Sequence, residues 1–193
     1  MTFSNKVSIF RILSVPFFAG VMLYYNPGRD YLRYIALGIF ILAVISDAVD
    51  GYIARVKKEK TAAGAIIDPL ADKILLVTAY VLLYAVPALG KGIKIPLWVV
   101  IVVVSRDAIL LNGAMIAYIV KNQIKVEPTW WGKLSTVFQM VTVITVLLQL
   151  SLSRPIWCIA VFFTVVSGVD YIIKGFQLLY ANNDHKNNFR PGR

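Results

Sequence analysis

Six apolar stretches, each close to the length that crosses a lipid bilayer, dominate this 193-residue chain. They run approximately Val7–Tyr25, Tyr31–Ile53, Pro69–Leu89, Ile95–Val120, Leu134–Leu152 and Pro155–Tyr180. A membrane-spanning helix needs about 20 mostly apolar residues, because in hydrocarbon the backbone must satisfy its hydrogen bonds internally. Turn-forming residues separate the stretches at Asn26-Pro27-Gly28, Gly90-Lys91-Gly92, Glu127-Pro128 and Arg154-Pro155. Composition agrees: the chain is 59% hydrophobic, above the roughly 45–50% apolar usage of soluble domains. The expectation is an all-α integral membrane bundle of six transmembrane helices. It forms a single domain over residues 1–180, followed by a polar, frayed cytoplasmic tail over 181–193. The first stretch carries Arg11 and lacks a small-residue cleavage site, so it reads as a retained segment rather than a signal peptide. Pro16 and Pro69 are expected to kink or begin helices.

The net charge of +10 suits anionic lipid, phosphate ligands or nucleic acid. The apolar runs favour lipid, and no nucleic-acid partner is expected. With the N-terminus in the cytoplasm, the external loops hold only Arg29, Arg33, Lys91, Lys94 and Arg154 among 20 basic residues. The rest, including Arg55, Lys57, Lys58, Lys60, Lys121, Lys125 and Lys133, gather on the cytoplasmic side, as the positive-inside rule requires. Topology and headgroup attraction are sufficient reasons for most of these charges. Trp98, Trp130, Trp131 and Trp157 lie near stretch ends, where interfacial belts account for them.

Some chemistries are excluded outright. Cys158 is the only cysteine and His185 the only histidine. An internal disulfide, a cysteine metal site, a Ser-His-Asp triad and an HExxH zinc site therefore cannot be built. Acid–base work must rest on carboxylates, lysine, tyrosine or metal-bound water.

The acidic residues are concentrated. Four of the ten, Asp47, Asp50, Asp68 and Asp72, fall within 26 residues. Spacings of three and four put each pair on one helix face. The second and third stretches leave and re-enter the membrane on the same side, so all four carboxylates can meet at its cytoplasmic edge. Such a cluster of hard oxygen donors suits Mg²⁺ or Mn²⁺. Pairing with Arg55, Lys57 and Lys58 at solvated helix ends is the plainer alternative. An ion site of a cation transporter is another, although transporters usually place such sites at the midplane within internal repeats, and no repeat is evident here. Gly51, Ala54 and Gly64 leave small surfaces for close approach of a ligand or a helix. Arg55 suits a phosphate or an interfacial anchor.

Together these residues read Asp47-x-x-Asp50-Gly51-x-x-Ala54-Arg55, eight residues, Gly64-x-x-x-Asp68-x-x-x-Asp72. This matches the signature of the CDP-alcohol phosphotransferases at every fixed position, and the six-stretch layout resembles that family over most of the chain. The resemblance implies an enzyme that transfers a phosphoryl group with its alcohol from a CDP-linked donor to an acceptor hydroxyl, releasing CMP. It implies a six-helix homodimer in the bilayer with its site open to the cytoplasm. The distribution of basic residues puts both termini on the cytoplasmic side, and a chain this short without a transit peptide is expected in a bacterial inner membrane. By the same resemblance, Asp47, Asp50, Asp68 and Asp72 bind two divalent ions, and Asp72 is the general base. Asp47, Asp50, Gly51, Ala54, Arg55, Gly64 and Asp68 seat the CDP group.

Asp68-Pro69-Leu70-Ala71-Asp72-Lys73 resembles the branch that takes CDP-diacylglycerol, with glycerol 3-phosphate or phosphatidylglycerol as acceptor. Gly132-Lys133-Leu134-Ser135-Thr136 resembles the glycerophosphate-accepting members, which often carry a second lysine where Ser135 stands. Ser105-Arg106-Asp107 is more similar to the cardiolipin synthases. Arg106 and Lys133 are the candidates for the acceptor phosphate; interfacial anchoring, with Asp107 as the partner of Arg106, is the alternative. Asn5, Ser8 and Arg11 resemble the polar start of the first helix in this branch. Asp170, late in the sixth stretch, is assigned no role from the sequence, a polar network near the site being one option. The leading expectation is glycerol 3-phosphate as acceptor, with phosphatidylglycerol second.

Overall fold

The structure is a computed structural model that describes the backbone of residues 3–57, 64–86, 94–121 and 129–187, and side chains within 7–49, 73–86, 94–113 and 129–174. These residues form six α-helices: α1 Phe3–Leu23, α2 Tyr31–Lys57, α3 Gly64–Ala85, α4 Leu97–Lys121, α5 Trp130–Leu147 and α6 Ser153–Asn187. The all-α class and the helix order match the expectation. α1 packs along both α2 and α3, α5 pairs with α6, and α4 lies against α6 and α3. α1 is thus the element that brings the two helices of the aspartate signature to one place.

The bundle buries polar and charged groups beside its apolar core and carries large apolar side chains on its outside. Arg11, Arg33, Arg106, Asp107, Ser135, Gln139, Thr142 and Thr164 are buried, whereas Leu13, Phe17, Leu42, Ile101, Phe162 and Val165 face outward. Large apolar side chains covering the outside of a bundle fit a hydrocarbon surround. Polar groups facing inward find their partners there. Gln139 Nε2 donates to Thr164 Oγ1 at 3.0 Å, and the hydroxyls of Ser135 and Thr164 share a hydrogen bond of 2.9 Å. An apolar cluster including Phe18, Met22, Phe40, Leu76, Tyr80 and Val99 fills the rest of the interior. Among the described residues, two segments, Tyr31–Val49 and Ser153–Lys174, are long and apolar enough to cross a membrane.

The element ends differ from the sequence expectation in instructive ways. Asn26-Pro27-Gly28 is a turn, as expected: the Gly28 N–H donates to Asn26 Oδ1 at 2.7 Å. α5 starts earlier than Leu134 because Thr129 caps it, its hydroxyl accepting from the Gly132 N–H. It also ends earlier than Leu152. Gln149 adopts φ 56°, a left-handed conformation that stops the helix although the surrounding residues remain apolar. Arg154-Pro155 is not a turn but the first turn of α6, where proline's missing N–H costs nothing. Pro16 and Pro69 both lie inside helices rather than beginning them. α6 runs on through Asn187, past the boundary expected at 180. The expected turns at Gly90-Lys91-Gly92 and Glu127-Pro128, and the tail beyond Asn187, lie outside the described residues.

At the end of the bundle opposite the signature, Arg33 does structural work. Its Nη1 donates to the carbonyl of Leu147 at 3.0 Å, and its Nη2 to Asp30 Oδ2 at 3.3 Å. A buried cation on the last carbonyls of α5 complements that helix's dipole and ties α2 to it. Arg33 is thus a fastener in the first turn of α2 rather than a loop charge.

Candidate active site

Asp47, Asp50, Gly51, Ala54 and Arg55 all lie in the last turns of α2, and Gly64, Asp68 and Asp72 in the first turns of α3. Of these eight, the Asp47 side chain is described; those of Asp50, Gly51, Ala54, Arg55, Gly64, Asp68 and Asp72 lie outside the described part. Asp47 pairs with Arg11 of α1. The arginine is 1% exposed, while the Asp47 side chain keeps 38% of its surface open. Arg11 Nε and Nη1 have no hydrogen-bond partner among the described residues. A buried guanidinium touching the first aspartate of the signature is suited to anionic groups. Arg11 was reached from sequence only through the polar start of the first helix. The side chains of its companions Asn5 and Ser8 lie outside the described part.

A second charged group lies just beyond Asp72. Lys73 Nζ donates to Asp107 Oδ1 at 3.0 Å, and Arg106 Nη1 donates to the same oxygen at 2.7 Å. Arg106 Nη2 donates to Ser167 Oγ at 2.7 Å. Asp107 is 1% exposed, and its Oδ2 has no partner among the described residues. The group links α3, α4 and α6. Gly132 lets α5 close on it, because a Cβ there would stand 3.3 Å from Arg106 Nη2. Arg106 therefore reaches the N-terminal turn of α5, where Lys133 is exposed with its ammonium 5.6 Å from the Trp130 ring centroid. The two residues expected to serve an acceptor phosphate share one region, beside a helix N-terminus whose free N–H groups favour anions. Two of Arg106's nitrogens are already engaged there, and its pairing with Asp107 was foreseen. The role of Lys73 was not, although its position directly after Asp72 marks it.

Asp170 takes no part in this group. It pairs with Lys174 one turn further along α6, at 2.9 Å. Tyr171 of the same helix lies against Gly113 of α4, where a side chain on the glycine would clash with the ring.

An all-helical bundle with charged groups sealed inside and an aspartate-rich end defines a class of membrane-associated helical protein. Residues 1–166 match the model of the CDP-alcohol phosphatidyltransferase family, and the chain belongs to that family of enzymes. It is 32% identical over 197 aligned positions to the CDP-diacylglycerol–glycerol-3-phosphate 3-phosphatidyltransferase of Bacillus subtilis, covering 93% of this chain and 97% of that one. It is 35% identical over 136 positions to the Haemophilus influenzae protein of the same name, covering 69% of each. It is 29% identical over 213 positions to the human cardiolipin synthase (CMP-forming), covering 95% of this chain and 64% of the human one.

Proposed function

We propose that this chain transfers a phosphatidyl group from CDP-diacylglycerol to glycerol 3-phosphate, giving phosphatidylglycerophosphate and CMP. The observation that carries the reading is the aspartate signature, spread over the end of α2 and the start of α3, which α1 joins and Arg11 touches. The names of the bacterial relatives support the donor and acceptor.

In this reading the acceptor hydroxyl attacks the phosphorus that carries diacylglycerol. A new P–O bond forms, the pyrophosphate P–O bond breaks, and CMP departs with the electron pair. Asp72 takes the hydroxyl proton, as an aspartate within hydrogen-bond reach can. Arg55, Gly51, Ala54, Gly64 and the other signature aspartates seat the CDP group. Arg11 holds Asp47 in place. Arg106 and Lys133 receive the acceptor phosphate, Lys133 as the exposed cation and Arg106 as the buried one. Phosphoryl transfer asks mainly for positioning and charge stabilisation, which this arrangement supplies.

The donor set fits a divalent metal. Asp47, Asp50, Asp68 and Asp72 offer hard oxygens at one end of the bundle, and Asp47 retains open surface beside its pair with Arg11. Mg²⁺ or Mn²⁺, two ions by family resemblance, held by these four would neutralise the pyrophosphate and the departing CMP. The large apolar side chains on the outside of the bundle support membrane-spanning helices, six in this reading. The asymmetry of basic residues supports a site and both termini on the cytoplasmic side of the membrane; the homodimer and the bacterial inner membrane are expectations carried over from the sequence.

Ser105-Arg106-Asp107 favours a second acceptor, phosphatidylglycerol, which would make the product cardiolipin. CMP release by purified protein in detergent, with CDP-diacylglycerol, Mg²⁺ and each acceptor separately, decides between them. Release with glycerol 3-phosphate alone supports the first reading. Release only with phosphatidylglycerol moves the assignment to cardiolipin synthesis, and release with neither from folded protein overturns both.

A further inference from the structure

We infer that Lys73 is a positioning residue: its ion pair with Asp107 fixes the first turns of α3, and with them Asp68 and Asp72, for metal binding. The inference rests on the metal-dependent reading above. It begins from a weakness in α3. Pro69 lies between the two aspartates and has no N–H to donate, so the helix lacks one backbone bond in the segment that carries them. That segment starts at Gly64 and has no acidic residue in its first turn to complement the helix dipole.

Lys73 is the first charged side chain after Asp72, and it leaves α3 toward α4. Its ammonium is held at 3.0 Å by a carboxylate that is 1% exposed. That carboxylate is fixed in turn: Arg106 holds the same oxygen at 2.7 Å, and Ser167 of α6 holds Arg106 at 2.7 Å. The tether therefore runs from α3 through α4 to α6, inside the bundle, where screening by water is weak. Carboxylates that ligate a cation gain much of their affinity from being held in place by groups behind them. A lysine adjoining one such carboxylate, locked to a buried anchor, meets that need.

The test uses full-length protein in detergent and reads Mn²⁺ binding by loss of the free-ion electron paramagnetic resonance signal, well below the melting temperature. K73M should weaken Mn²⁺ binding about tenfold. It should raise the Mn²⁺ needed for half-maximal CMP release in parallel, with a smaller change in kcat. K73R, which can still reach Asp107, should stay near wild type. S167A, which frees only the far end of the tether, should change binding little. If K73M does not fold, D107N serves: it keeps a hydrogen-bond acceptor, removes the charge, and should weaken binding in the same direction. Wild-type affinity in folded K73M or D107N would overturn the inference while leaving the metal reading intact. No Mn²⁺ binding by the wild type would overturn the metal reading, and the inference with it.

Discussion

Arg11 and Asp47 form an ion pair of unequal burial: the guanidinium is 1% exposed and the carboxylate side chain 38%. The asymmetry predicts which half of the pair the fold depends on. D47A strands a buried cation whose Nε and Nη1 already lack partners among the described residues. R11M leaves a carboxylate that water can reach. Breaking a buried pair costs about 3–5 kcal/mol when the group left behind is sealed in, and less when it can hydrate. In EDTA, where metal binding does not contribute, D47A should melt at a lower temperature than R11M. The reverse order would show that Arg11 acts mainly through packing.

The proposed base gives a sharper expectation. D72N keeps the shape of the side chain and removes its proton affinity, so CMP release should fall by about 10²–10⁴-fold. The melting temperature in EDTA should be unchanged. An activity within tenfold of wild type would remove Asp72 from the proton-transfer role and leave it, at most, a ligand.

The interior of α5 and α6 should tolerate more than its polarity suggests. Gln139 is fully buried and donates to Ser135 at 3.3 Å and to Thr164 at 3.0 Å. The Ser135–Thr164 hydrogen bond of 2.9 Å survives without it. Q139L therefore leaves no stranded donor on its neighbours. It should cost only about 1 kcal/mol, in the range of side-chain hydrogen bonds inside membranes. Thermal melts in detergent measure this, and CMP release should persist. A loss of several kcal/mol would mean that Gln139 organises more of the bundle than these two contacts show.

How much of this was legible in the sequence depends on the range of the interaction. Helices α1 to α6 follow from apolar runs and need only local information. The end of α5 does not, because Leu148, Leu150 and Leu152 prolong the apolar run past Gln149, whose left-handed backbone ends the helix. The aspartates were legible because three- and four-residue spacings report one helix face. Their supports were not. Arg11 meets Asp47, and Lys73 meets Asp107, across different helices, and neither spacing has a local period. Arg33 looked like a loop charge for the same reason: the carbonyl it caps belongs to Leu147, 114 residues away. The inward polar face of α5 was hidden because hydropathy averages a helix and does not say which side is covered.

The connection between α1 and α2 offers a test by pH. Tyr25 is buried there, and its hydroxyl donates to Asp30 Oδ1 at 3.0 Å. Burial first, and the Asp30 carboxylate second, push the phenol above its ordinary value of 10.0. The folded state thus holds its proton more tightly than the unfolded chain, whose phenol ionises near 10. The resulting stabilisation is fully present below pH 10 and is lost as pH rises through the folded-state value. At pH 8, Y25F should be less stable by about 1 kcal/mol, the worth of the missing hydrogen bond. As pH rises above 10, the wild type should lose stability faster than Y25F, so the two melting curves converge. Parallel decline of both proteins across that window would show that Tyr25 keeps an ordinary phenol and that the Asp30 contact is not maintained in solution.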